Sequence, residues 1–299
     1  MTEESYLALH RQGRLYGPTD HELVLRTPFE VRQFTRDAQG SLRGDIDMTA
    51  FHQNPLSEER LRELRYLWDV ERSTMGQVRH VVVSYTNKES RVAAFLTTWA
   101  YERHWIADAY QAVLEAHGQD VSGPVEHDHL LLDRVERALD NLAPMTDSVW
   151  TNLFGEDVVA GQMARGWARE AAVRAALETF DDAAAHPDLS ALLRRVVELK
   201  SVHQRFFAVE TSERVRRSPR AASFARRYVS FGFNPLRPVG VSRAAFREFV
   251  VSLCPTVRDT SRLLQRADEP LQRTHETAGT EPLRRALERD QVVNRYALF

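Results

Sequence analysis

"VVELKSVHQRFF", residues 196–207, decides how this chain is read. Val196, Leu199, His203, Phe206 and Phe207 fall on one face at three- and four-residue steps, which is a helical period. Lys200 stands in the middle of that face, where a leucine would pack. The chain holds 40 Lys plus Arg, of which Lys88 and Lys200 are the only lysines and 38 are arginines. A sequence that uses arginine for solvated charge has placed one of its two lysines on an apolar stripe.

Working outward, three more segments carry long helical stripes. The first starts at Ser57, with Glu58 and Glu59 near the positive end of the helix dipole, and runs through Leu64, Leu67, Trp68, Met75 and Val78. The second runs through "RVAAFLTTWAYERHWIADAYQAVLEAHG" to Gly118. The third is "SVWTNLFGEDVVAGQMARGWAREAAVRAALETF", with a bend expected near Gly155 or Gly161. "LLLDRVERALDNL" is expected as a shorter helix between the second and third. The fourth long helix contains the opening stretch. Strand signals are nearly absent beyond residue 55, so the fold class is all-α.

Each long stripe carries one ionisable group near its centre: Glu71, Glu102, Glu170 and Lys200. An unpaired buried charge costs several kcal/mol, so four of them are tolerable if they meet. Glu71 to Glu102 is 31 residues and Glu170 to Lys200 is 30, each half a helix up, a turn, and half a helix down. That spacing brings each pair level in an antiparallel hairpin. Two plainer readings stay open: Glu71 and Glu102 at stripe edges paired to arginines, and Lys200 snorkelling beside a core histidine, His203.

With these residues in place, the chain resembles the ferritin-like diiron-carboxylate proteins, a group that includes ribonucleotide reductase small subunits, acyl-carrier desaturases and related oxygenases. Their bundle carries a carboxylate on one helix and Glu-x-x-His on the next, twice over. The resemblance covers 57–214 and implies a ferritin-like four-helix bundle. Glu71 and Glu170 match the single carboxylates, and Glu102 matches the first Glu-x-x-His glutamate, but Trp105 stands where its histidine belongs. His203 matches the second histidine, and Lys200 replaces the glutamate before it. The resemblance therefore implies a degenerate metal site, decayed into a Glu–Lys–His polar network with no cofactor. The alternative is iron or manganese held by Glu71, Glu102, Glu170 and His203.

The rest of the chain frames this bundle. Residues 1–55 are irregular, with a hairpin expected around "DAQG"; 218–267 carry accessory helices; and 268–299 form a looser tail. "RVRRSPRAASFARR", 214–227, is arginine-rich without an acidic residue, a surface for an acidic carrier protein or an ordinary solvated face. Trp99, Trp105 and Phe207 are candidates to line a small apolar ligand's channel, or core. "VEHDHLLLD" carries His127 and His129, read as a solvated loop, and His104–Asp108 is read as a structural hydrogen bond on one helix face.

Net charge of −2 argues against nucleic acid. No apolar run reaches the roughly 20 residues of a membrane span. Cys254 is the one cysteine, which excludes an internal disulfide and fits a cytoplasmic protein. Three functions follow as expectations. The first is a non-redox binding or accessory protein, as a homodimer through a helix face. The second is a metal-dependent oxidase or oxygenase on a small or carrier-tethered apolar substrate, with Lys200 and His203 as its chemically active groups. The third is a helical regulator without a buried site.

Overall fold

The apolar stripes fold as helices, and the order of elements follows from their caps. The computed structural model describes residues 27–74, 78, 89–121, 157–238, 240–274, 277 and 279–292, and among these it holds ten α-helices, one 3₁₀ turn and no strand. The helices are α1 (Val31–Arg36), α2 (Met48–Gln53), α3 (Glu58–Arg72), α4 (Ser90–Ala116) and α5 (Asp157–Ala184). They continue as α6 (Pro187–Arg217), α7 (Pro219–Ser230), α8 (Arg243–Leu253), α9 (Val257–Gln272) and α10 (Pro282–Arg289). The helix expected over "LLLDRVERALDNL" and the loop with His127 and His129 lie outside the described residues.

Local chemistry sets the ends of the long helices. The Ser57 side chain accepts the Arg60 N–H and opens α3. α4 stops at Gly118, whose φ of +71° is the left-handed region glycine enters without penalty. There the Gly118 N–H donates to Glu115 O at 2.9 Å and the Gln119 N–H to Leu114 O at 3.1 Å, a Schellman pairing. Only Ala185 and His186 separate α5 from α6, so these two run as an antiparallel hairpin. His186 caps α6: its Nδ1 accepts the Leu189 N–H at 3.3 Å while its Nε2 meets Asn54 O at 2.8 Å. Its ring stacks on Phe51, which ties α2 to the hairpin turn.

α5 is continuous from Asp157 and shows no break at Gly161. The glycines of α5 serve close approach instead. A Cβ on Gly166 would lie 2.4 Å from the Phe207 ring, and one on Gly161 would lie 2.7 Å from Tyr228. Phe207 is nearly fully buried, so its ring has nowhere to retreat. Gly166→Ala is therefore expected to lower unfolding free energy by about 1–3 kcal/mol despite the better helix propensity of alanine. Urea denaturation measures this; an unchanged or raised stability would show that α5 and α6 can move apart freely.

Two sequence expectations change. The described part of 1–55 carries α1, the 3₁₀ turn Arg43–Asp45 and α2 joined by irregular stretches, and no hairpin forms around residues 37–40. Asp47 accepts the Thr49 and Ala50 N–H groups and so starts α2, a helix signal in six residues too short to show a period. The described part of the tail is also packed: Leu283 and Leu287 of α10 are fully buried. Asp268, from α9, accepts the N–H groups of Leu283 and Arg284 at 3.0 Å each and fixes the start of α10.

The interior divides into two apolar halves. One gathers α3, the C-terminal parts of α4 and α5, α8, α9 and α10. The other gathers α1, the N-terminal parts of α4 and α5, the later part of α6, and α7. On α4 the division falls between Trp99 and Ile106, and on α6 between Val196 and Phe206. The charged residues singled out above lie in that seam.

Candidate functional site

Glu71 projects from the last turn of α3, Glu102 from α4, Glu170 from α5, and Lys200 and His203 from α6. Lys200, His203 and Glu170 are 0% exposed, Glu71 1% and Glu102 3%. The chain thus brings together all five residues at a common depth. Lys200 Nζ lies 2.7 Å from Glu71 Oε1, 2.8 Å from Glu71 Oε2 and 3.3 Å from Glu170 Oε2. His203 Nε2 lies 2.6 Å from Glu102 Oε2, and its Nδ1 is 3.8 Å from Glu170 Oε2. Trp99 Nε1 donates to Glu170 Oε1 at 2.9 Å, and Phe207 packs edge-on against the Trp99 ring at 5.7 Å.

Trp105 is not part of this group. It is only half-buried and lies against His104 and Tyr101. At about 100° per residue, position 105 falls roughly 60° short of a full turn from Glu102, on the side away from the seam. The His104–Asp108 pairing is replaced as well: Asp108 accepts from Arg43 Nε at 2.8 Å, and His104 is exposed.

A sixth member, Arg103, did not stand out in the sequence. It is completely buried, its Nε donates to Glu71 Oε2 at 2.6 Å, and its Nη2 donates to Val70 O at 2.8 Å. Nη1 is 3.8 Å from Glu170 Oε1, and the guanidinium lies 4.9 Å over the Trp99 ring. Position 103 is four residues after Trp99 and three before Ile106, so the signal was there: a second charge on the same stripe.

The segment before α2 closes the site. The Gln39 N–H donates to Glu102 Oε1 at 2.8 Å, and Phe34 of α1 meets the His203 ring edge-on at 6.0 Å. This segment is anchored by a second buried knot, in which Glu210 receives Thr27 and Arg91, and Arg214 holds Glu89 with two hydrogen bonds at 2.8 and 2.6 Å.

Each oxygen of the three carboxylates therefore has an N–H or ammonium neighbour. Glu71 Oε1 and Glu170 Oε2 meet the ammonium as ion pairs without aligned hydrogen bonds. Three acids face Lys200, Arg103 and His203, and Arg169 also lies within electrostatic reach of Glu71 and Glu170. Burial by itself would raise the Glu170 pKa, but Lys200, then His203 and Arg103, reverse that and hold it well below the ordinary carboxylate value.

The sign of the resulting pH dependence follows from that depressed pKa. Between the unfolded value near 4.5 and the lower folded value, the unfolded chain binds more protons. The stability from Glu170 is complete above that unfolded value and is lost as pH falls toward the folded one. Thermal melts across acid pH should thus fall more steeply for the wild type than for Glu170→Gln; parallel curves would contradict it.

The residues do not fit a dinuclear metal centre. A bridging metal needs open carboxylate lone pairs, and Lys200 Nζ occupies the space between Glu71 and Glu170. Among the described residues, no group of three or more His, Cys, Asp and Glu side chains is arranged to hold a metal ion. Fold and site define an all-α protein with a charge-compensated interior layer. Comparison with protein-family models, with curated proteins and with solved structures finds no match in any of the three. No described helix is long and apolar enough to cross a membrane.

Proposed function

We propose that this chain is a metal-independent relative of the ferritin-like diiron-carboxylate proteins and acts as a binding or accessory protein. The observation that carries the reading is the position of Lys200. Its ammonium lies within 3.3 Å of carboxylates from two other helices, at the place in the resemblance where a metal-binding glutamate belongs. A flexible stem and a compact ammonium suit that place better than a planar guanidinium. Arg103 hydrogen-bonds Glu71 and His203 meets Glu102, so each acid is held by side chains of the bundle.

Elemental analysis of protein produced with iron and manganese supplied tests this. The expected result is metal far below one equivalent per chain. Stoichiometric iron or manganese overturns the reading in favour of an oxidase or oxygenase that uses Glu71, Glu102, Glu170 and His203. Lys200→Glu supplies a second test, because it restores Glu-x-x-His with His203. The variant is expected to melt well below the wild type in metal-free buffer and to recover in part with ferrous iron. A melt equal to wild type, indifferent to iron, leaves the family relationship without support.

A further inference from the structure

We propose that the outward face of α7 docks an acidic helix of a partner protein. The sequence around α7 is set apart by what it lacks. Residues 214–247 hold nine arginines and no aspartate or glutamate. The chain's 42 acids over 299 residues would put about five in a stretch of that length, so these arginines lack the local acids that pair others. Arg195 of α6 and Arg273 after α9, for comparison, each have an acid one turn away, Glu198 and Glu269. Among the described helices of eight or more residues, α7 alone carries no acid.

The fold turns these charges outward. Ala221, Ala222, Ala225 and Val229 are buried, and α7 packs on α5, where Tyr228 closes on Gly161. Arg220, Phe224, Arg227 and Phe231 follow at steps of four, three and four along the opposite side, with Arg217 three residues before them. Phe231 is 72% exposed, and Phe224 is half-buried. Arg217, Arg220 and Arg227 are exposed. Arg220 has a loose 3.6 Å contact with Asp157, and among the described residues no carboxylate pairs with Arg217 or Arg227. Alternating guanidinium and phenyl groups fit a helix that alternates carboxylates with aliphatic side chains: each fork takes a carboxylate and each ring an apolar contact. The whole chain's net charge of −2 opposes a polyphosphate partner. A lipid surface would need the apolar side of α7, which is already committed to α5. This surface is separate from the interior charge layer, so its failure would leave the proposed function standing.

Fluorescence anisotropy of the full chain with a labelled synthetic helix, carrying glutamate and leucine along one face, tests the surface. Saturable binding is expected, weakening as salt rises. The same helix with lysine for glutamate should bind roughly tenfold more weakly. Phe231→Ser should cost about tenfold, and Arg220→Glu combined with Arg227→Glu roughly a hundredfold. All three side chains face solvent, so these variants should melt with the wild type. Arg258→Glu combined with Arg273→Glu, an exposed pair at the two ends of α9, should bind as the wild type does. No saturable binding, full affinity in Phe231→Ser, an equal loss from the α9 reversal, or tighter binding to single-stranded RNA or phosphatidylserine vesicles at the same ionic strength overturns the proposal.

Discussion

Replacing Lys200 by methionine should lower the unfolding free energy by about 3–5 kcal/mol, the range for removing one partner of a buried ion pair. Methionine keeps much of the stem's volume, so the loss is electrostatic and not a cavity. Glu71 keeps Arg103, but Glu170 Oε2 loses the one cation within ion-pair distance except for the more distant His203. Two acids then face each other across a buried seam. For a chain of this size the melting temperature should fall by roughly 10 °C. Adding Glu170→Gln removes one of the stranded charges and should recover part of the loss. That coupling, measured as a double-mutant cycle in urea, distinguishes the layer from a general packing defect. A loss below about 1 kcal/mol would mean that Lys200 does not hold the acids together.

Arg103→Leu should cost a similar amount, about 3–5 kcal/mol, for a different reason. Here one side chain binds a carboxylate and the Val70 carbonyl at once, so its removal takes a partner from both, leaving Glu71 to Lys200 alone and the Val70 carbonyl to the Ser73 hydroxyl. Arg103→Lys separates the two contributions. A lysine keeps the charge but cannot reproduce the fork, and should cost about 1–3 kcal/mol, between wild type and leucine. If lysine matched the wild type, charge alone would account for the residue. If it matched leucine, the fork would.

The long helices were legible because buried stripes repeat for many turns and the caps at Ser57 and Gly118 mark clear ends. Glu71, Glu102, Glu170, Lys200 and His203 were legible for the same reason: each breaks an apolar stripe. Arg103 was hidden by its neighbour, since reading Glu102 as the inward residue of α4 drew attention from a second inward charge one position on. Trp105 misled through residue type, because a tryptophan reads as buried even where the helix turns it toward the surface. Nothing local marks Asp268 as the cap of α10, since its partners Leu283 and Arg284 lie 15 and 16 residues away. Helices of six residues, such as α1 and α2, are too short for periodicity to separate them from turns.

The contact of Gln39 with Glu102 is made by the peptide nitrogen, not by the glutamine side chain. Alanine, serine or valine at that position would supply the same donor, so a scan by side-chain truncation would report the loss of the exposed Arg195 contact and pass over this bond. Among the twenty amino acids only proline lacks the group. This bond from the segment before α2 to the interior acid is therefore written in main-chain geometry, where neither composition nor residue-by-residue mutagenesis of the ordinary kind would reveal it.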